Sequence, residues 1–185
     1  VTACKAAGNF DEYAYVADTL ANTFMGFYNI NRNQFANAND STKVVSSQTE
    51  EEAERTKQAM QNVHFRRALS MSLDRGSYLA QQVGDDLKYA SMRNSFTPGN
   101  FVSLEEEVTV DINGTATTFP AGTYYGEIMQ AQIDADGVKI KVWDPTANDG
   151  AGSSDGFDGW YSPENAVEEL NQAVEELAAD GVTVD

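Results

Sequence analysis

The sequence predicts an α/β fold: a mixed sheet with packed helices and an inserted β-hairpin. Three observations carry this prediction. Aromatic-rich extended runs lie near the start, an Asn-Gly pair separates two alternating segments past the middle, and an amphipathic stripe lies near the end.

Tyr13-Ala14-Tyr15-Val16 and Thr23-Phe24-Met25-Gly26-Phe27-Tyr28-Asn29-Ile30 are rich in strand formers and flanked by Asn and Asp turn formers. In the second run Phe24, Gly26, Tyr28 and Ile30 share one face, and Met25, Phe27 and Asn29 the other. Both faces are largely apolar, which predicts a strand internal to a sheet. Residues 36–48 are small and polar and read as an exposed insertion loop. Thr49 followed by Glu52 is a capping box, with acids at 50, 51 and 52 suiting the positive end of a helix. Asn62 caps the next segment, whose Phe65, Ala68, Leu69 and Ser72 recur at helical spacing. Asp74 is the cap expected before Ser77-Tyr78-Leu79-Ala80.

Past Pro98-Gly99 the character changes. Val108–Ile112 and Thr115–Phe119 flank Asn113-Gly114, a pair that tolerates the positive φ angles of a tight hairpin turn. Residues 144–159 form an acidic loop rich in Gly and Ser. At the end, Ser162 is placed as a cap and Pro163 at the first helical position. Ala166, Val167, Leu170, Ala173, Val174, Leu177 and Ala178 then form one apolar stripe, and Gly181 is placed to stop the helix.

The chain has 185 residues, the size of one domain or a large piece of a bigger protein. Leu, Ile, Val and Phe together supply only 20% of it, a low share for a chain with a full core of its own. The net charge is −17, and it is uneven: residues 1–99 carry 10 basic and 11 acidic side chains, residues 100–185 carry 2 and 18. Such a surface repels phosphate backbones and anionic lipid heads, which argues against nucleic-acid binding and polybasic membrane attachment. No run approaches the roughly 18–20 apolar residues of a membrane-crossing helix. The single cysteine, Cys4, excludes an internal disulfide; it reads as a small residue near a strand. Val1-Thr2-Ala3-Cys4 has the look of a lipoprotein cleavage box, but no apolar run precedes it.

The only histidine is His64, beside Arg66 and Arg67, and reads as a structural or surface residue. One Cys and one His do not supply a zinc site. No glycine-rich phosphate loop is present. Carboxylates are abundant, yet most fall on polar helix faces or in loops, so a glycosidase-type pair is only a third reading. Asp144, Asn148, Asp149, Asp155 and Asp158 cluster as hard oxygen ligands, but their spacing departs from the twelve-residue calcium loop. No cofactor, no metal and no catalytic residue is expected.

Four motifs in order resemble the extracellular peptide-binding proteins of bacterial ABC importers, in the Gram-positive lipoprotein branch. They are Phe27-Tyr28-Asn29-Ile30-Asn31-Arg32; Asn62-Val63-His64-Phe65-Arg66-Arg67-Ala68-Leu69-Ser70-Met71-Ser72-Leu73-Asp74-Arg75; Arg93-Asn94-Ser95-Phe96-Thr97-Pro98-Gly99-Asn100-Phe101-Val102; and Trp160-Tyr161-Ser162-Pro163-Glu164-Asn165-Ala166. They cover about residues 20–102 and 157–182, leaving the hairpin and the acidic loop as an insertion. The resemblance implies a fragment: residues 1–185 as a single domain, part of the C-terminal lobe of a longer two-lobed binding protein. It implies a non-enzymatic, monomeric component that captures oligopeptides outside the cell, lipid-anchored when complete, and hands them to a membrane permease. Phe27, Tyr28 and Asn29 match the strand that runs near the cleft, and are the ligand-binding candidates. Arg66, Ala68, Leu69 and Asp74 match positions expected to be structural. The alternative from another class is a freestanding extracellular adhesion or calcium-stabilised module.

Overall fold

The computed structural model describes residues 2–13, 25–31, 36–37, 40–44, 49–89, 92–147 and 157–184. In chain order the elements are helices α1 (Thr2–Ala6) and α2 (Phe10–Tyr13), strands β1 (Ala36–Asn37) and β2 (Asp40–Val44), helices α3 (Glu50–Gln61), α4 (Val63–Ser72) and α5 (Arg75–Val83), strands β3 (Val108–Ile112) and β4 (Thr115–Phe119), then helices α6 (Tyr125–Ala135) and α7 (Pro163–Ala179). The class is mixed α and β, with the hairpin where the Asn-Gly pair places it. Among the described residues the strands form two antiparallel pairs, β1 with β2 and β3 with β4, rather than one larger mixed sheet. Two compact units result, each built from two stretches of chain: residues 1–24 with 75–160, and residues 25–74 with 161–185.

Local chemistry explains most element boundaries. In α3 the Thr49 hydroxyl accepts the Glu52 N–H at 3.2 Å while the Glu52 carboxylate accepts the Thr49 N–H at 2.7 Å, a closed capping box. Hydrogen bonding of the Glu52 carboxylate by the Thr49 backbone N–H first and the Thr49 side chain second holds that carboxyl below the usual glutamate range. Asn62 ends α3 and caps α4, its side chain accepting the Phe65 N–H at 2.9 Å. Asn113 and Gly114 both take positive φ, 51° and 83°, and the register runs Val108 to Phe119 and Ile112 to Thr115 without a bulge.

Several expectations are corrected. Cys4 lies in a helix, since Thr2–Ala6 favours helix through its alanines and lysine. Tyr13 closes the short α2, and residues 14–16 lie outside the described residues. Residues 25–31 are exposed and form no strand, because no strand among the described residues pairs with them. The stretch 36–48, expected as an open loop, contains the β1–β2 pair, with Ala36 opposite Val44. At α7 the Ser162 hydroxyl caps no backbone N–H; it accepts instead from Asn165 Nδ2 at 2.8 Å. The apolar stripe of α7 divides: Ala166, Ala173 and Leu177 are buried, whereas Val167, Leu170 and Val174 stay partly exposed.

In the unit of residues 25–74 and 161–185, α4 and α7 pack on each other more extensively than any other pair of elements. Met71 and Ala173 are fully buried, with Ala68, Ala166 and Leu177 nearly so. The small alanines let side chains from two helices share a narrow layer. The Ser162 N–H donates to Met71 O at 2.9 Å, so a carbonyl at the end of α4 is satisfied just ahead of α7. Gly181, at φ 78°, ends α7 and lets the Val182 N–H return to Leu177 O at 2.8 Å.

In the unit of residues 1–24 and 75–160, the core is Met92, Ile112, Ile133, Val138, Ile140, Val142 and Trp143. Val138, Ile140, Val142 and Trp143 are buried, with Lys139 and Lys141 exposed between them, yet the run belongs to no strand, so its buried polar backbone needs other partners. Gln130 of α6 supplies them: its Oε1 accepts from the Val142 and Trp143 N–H groups at 2.7 and 3.3 Å, and its Nε2 donates to Ile140 O at 3.0 Å. The Trp143 ring lies against Gly99 and Gly126, whose backbones are joined by a 2.9 Å bond from Gly126 N to Gly99 O. A methyl group on either glycine would overlap the indole.

Gly126→Ala therefore has opposed effects. Within a helix the change normally favours stability by about 1 kcal/mol, whereas overpacking against a buried ring costs about 1–3 kcal/mol. The expected outcome is net destabilisation, read as a lower urea midpoint at an unchanged m-value, in contrast to Ala131→Gly, which loses only the propensity term.

Candidate functional site

The three ligand-binding candidates lie on the irregular segment Met25–Asn31. Phe27 is 81% exposed, with Met25, Tyr28 and Ile30 also presented to solvent. Composition rich in aromatics suits a buried strand, but here those rings form an exposed apolar surface, the kind that marks a contact site. Two tethers fix the segment to the helices behind it. The Tyr28 hydroxyl is 2.9 Å from Ser70 Oγ on α4, and Gln61 Nε2 at the end of α3 donates to Ile30 O at 2.9 Å. Asn29 Oδ1 accepts the Asn31 N–H at 3.2 Å, forming a local turn. Thus Phe27 projects, Tyr28 is anchored by its tip, and Asn29 shapes the backbone. Ser70 and Gln61 carry no sequence signal for this task; only their placement on α4 and α3 reveals it.

Behind the segment, α4 and α7 are joined by a polar cluster. His64 Nδ1 is 2.6 Å from Glu169 Oε2, and its Nε2 is 3.5 Å from Glu176 Oε1. Glu176 Oε2 also accepts from Asn62 Nδ2 at 2.7 Å, and its Oε1 from Gln172 Nε2 at 2.9 Å. The Gln172 and Asn62 donors, with the nearby His64, lower the Glu176 pKa from the usual glutamate range. This arrangement explains His64 as a joint between two helices.

Three of the four motifs supply residues to a second network, in the unit of residues 1–24 and 75–160. Arg75 Nε and Nη2 donate to Asp158 Oδ1 at 2.8 and 2.6 Å, and the Arg75 and Gly76 N–H groups donate to Asp158 Oδ2 at 2.8 and 3.1 Å. The same guanidinium donates to Arg93 O at 2.8 Å and Asn94 Oδ1 at 2.7 Å. Asn94 in turn donates to Val142 O at 3.2 Å, while its own carbonyl accepts the Trp160 indole N–H at 2.9 Å. Asp158 thus accepts the first two N–H groups of α5. The calcium reading loses two of its ligands to protein donors: Asp158 to Arg75, and Asp144 to Lys141 at 2.8 Å and to Thr146. Those Lys141 and Thr146 donors hold the Asp144 carboxyl well below its usual range. Asn148, Asp149 and Asp155 lie outside the described residues. Among the described residues no three His, Cys, Asp or Glu side chains are placed to hold a metal.

No family model matches the chain. It is, however, 33% identical over 137 residues, 74% of its length, to the oligopeptide-binding protein AmiA of Streptococcus pneumoniae. The chain is a relative of the oligopeptide-binding proteins. Oligopeptide-binding protein AliB of the same species is 29% identical over 89% of the chain, and oligopeptide-binding protein SarA of Streptococcus gordonii 28% identical over 69%. The chain spans only about a fifth of the length of the relatives it matches, 17% of AmiA and 21% of AliB.

Asp158→Ala leaves the Arg75 guanidinium and two helix N–H groups without their acceptor. Breaking a buried pair costs about 3–5 kcal/mol, and the partial exposure of Arg75 lowers the expected loss to about 2–3 kcal/mol, measurable by urea denaturation. Arg75→Lys keeps the charge but not the fork and loses part of the same stability. The lowered pKa of Glu176 fixes a pH dependence as well. Its stabilising contribution is present above the unfolded glutamate value of about 4.3 and disappears as pH falls through the lower folded value. The thermal midpoint of the wild type therefore declines over that acidic interval, and Glu176→Gln, which keeps an acceptor but does not titrate, declines less.

Proposed function

We propose that this chain is part of the substrate-binding component of a peptide ABC importer, a non-enzymatic protein that captures oligopeptides outside the cell. The observation that carries this reading is its relationship, over most of its length, to proteins named for oligopeptide binding. In this reading residues 1–185 belong to the C-terminal lobe of a longer two-lobed monomer, lipid-anchored at the surface of a Gram-positive cell, which delivers its peptide to a membrane permease.

Phe27, Tyr28 and Asn29 are the proposed ligand contacts. The exposed ring of Phe27 supplies apolar area for permissive contact with peptide side chains, while exposed backbone outside any helix or strand offers main-chain hydrogen bonds that any sequence satisfies. The Tyr28–Ser70 and Gln61–Ile30 tethers hold that segment in one geometry before ligand arrives, which reduces the entropy lost on binding. Lobe closure over the peptide then excludes water. Capture and release need no nucleophile, base or metal.

Calorimetric titration of the intact polypeptide with a library of short oligopeptides tests the proposal. Saturable binding is expected, with Phe27→Ala weakening it by about 1–2 kcal/mol as a central apolar contact does. Absence of binding to any peptide by the folded wild type overturns the function, and unchanged affinity in Phe27→Ala overturns the site. Residues 1–185 alone should bind weakly, since they hold only part of the cleft.

A further inference from the structure

The tip of the β3–β4 hairpin is fastened to the end of α6 by side-chain hydrogen bonds. Asn113 Nδ2 donates to Asp136 Oδ1 at 2.9 Å; Gln132 Nε2 donates to the same Asp136 oxygen at 2.9 Å and approaches Asn113 Oδ1 at 3.5 Å. Asp136 follows the last turn of α6, and Gln132 precedes it by four residues on the same helix face. On the other side of the turn, the Gly114 N–H donates to Asp111 Oδ1 at 2.9 Å. The carboxamide of Asn113 is thus held by α6, and the amide nitrogen next to it is held by Asp111.

Asn followed by Gly is a chemically labile pair, because glycine leaves its amide nitrogen uncrowded for attack on the preceding side chain. We propose that Asn113–Gly114 is a latent deamidation site, held shut by the clasp to Asp136 and Gln132. When the clasp opens, the Asn113 Cγ is released from α6, and the Asp111 carboxylate already sits at the proton that has to leave. The Gly114 nitrogen gives up that proton to a base, Asp111 or hydroxide, and forms a bond to Asn113 Cγ. The Cγ–Nδ2 bond breaks as the departing nitrogen takes up a proton from the protonated base or water, so that ammonia leaves and a cyclic imide remains. Water then opens the imide at either carbonyl, giving Asp or isoaspartate at position 113. No oxidant or reductant is involved. Either product puts a carboxylate against Asp136 and beside Asp111, so the clasp cannot reclose without like-charge repulsion. Isoaspartate also lengthens the backbone inside a two-residue turn, which disturbs the hairpin register.

The test is ageing of the wild type, Asp136→Ala and Gln132→Ala at mildly alkaline pH, with Asp and isoaspartate at position 113 quantified by peptide mass spectrometry. Asn148, followed by Asp149, serves as the reference within the same chain. Wild-type protein is expected to convert at position 113 more slowly than the same chain unfolded in urea. Asp136→Ala should accelerate conversion there about two- to tenfold, the range expected for releasing one modest hydrogen bond, with Asn148 unchanged. Gln132→Ala should give a smaller acceleration. Equal rates in wild type and Asp136→Ala, or equal rates in folded and urea-unfolded wild type, overturn the proposal. If circular dichroism shows that Asp136→Ala has lost its fold, Gln132→Ala decides the matter: faster conversion at 113 supports the clasp, and an unchanged rate overturns it.

Discussion

A carboxylate removed from water must be surrounded by donors, and Asp158, with its side chain only 8% exposed, imposes that condition on its whole unit. It is met by one guanidinium and two helix N–H groups, so the negative charge faces both a positive side chain and the positive end of α5. Arg75 has donors to spare and spends them on Arg93 O and Asn94 Oδ1, and Asn94 passes the connection to Val142 and Trp160. Four stretches of chain are tied at one point by groups that are each poor candidates for burial alone. Replacement of any member leaves others unsatisfied, which is why such networks tolerate little change.

The other unit is organised by apolar contact with a polar rim. Ala68, Met71, Ala166 and Ala173 are buried on α4 and α7, Leu177 is buried with Ala59 and Val182 against Phe65, and the His64, Glu169, Glu176 and Asn62 cluster joins the same two helices. Asn62 is central because one side chain serves two purposes: its oxygen caps α4 and its nitrogen reaches α7. The candidate site depends on this scaffold, since Ser70 and Gln61, which anchor the segment of Phe27, Tyr28 and Asn29, are carried on α4 and α3.

What was legible in the sequence was what neighbours in the chain decide. Thr49 with Glu52, Asn62 with Phe65, Asn113 with Gly114 and the Pro163 to Gly181 span all lie within a few residues of the groups they organise, and the structure has them in those roles. The first two N–H groups of α5 also reach the carboxylate of Asp158, 83 residues beyond Arg75, and no spacing rule reaches that far. The same limit applies to the site. Aromatic alternation over 23–30 predicted burial in a sheet, because pattern reports what a face could pack against and not whether a partner arrives. The motif residues were visible as a family resemblance; that Arg75, Asn94 and Trp160 meet in space was not.

The division of the chain gives the long-range bonding of α5 to Asp158 a consequence for the order of folding. Each unit is assembled from two separated stretches, and the second unit is interrupted by the chain from 75 to 160. As the polypeptide emerges during synthesis, α4 is made long before α7 and α5 long before Asp158, so neither unit can complete its core until the last quarter of the chain is available. Loop closure over such separations slows folding more than it lowers final stability. The half-made chain presents Met71 and the start of α5 uncovered, and that interval is when it is most exposed to aggregation and proteolysis.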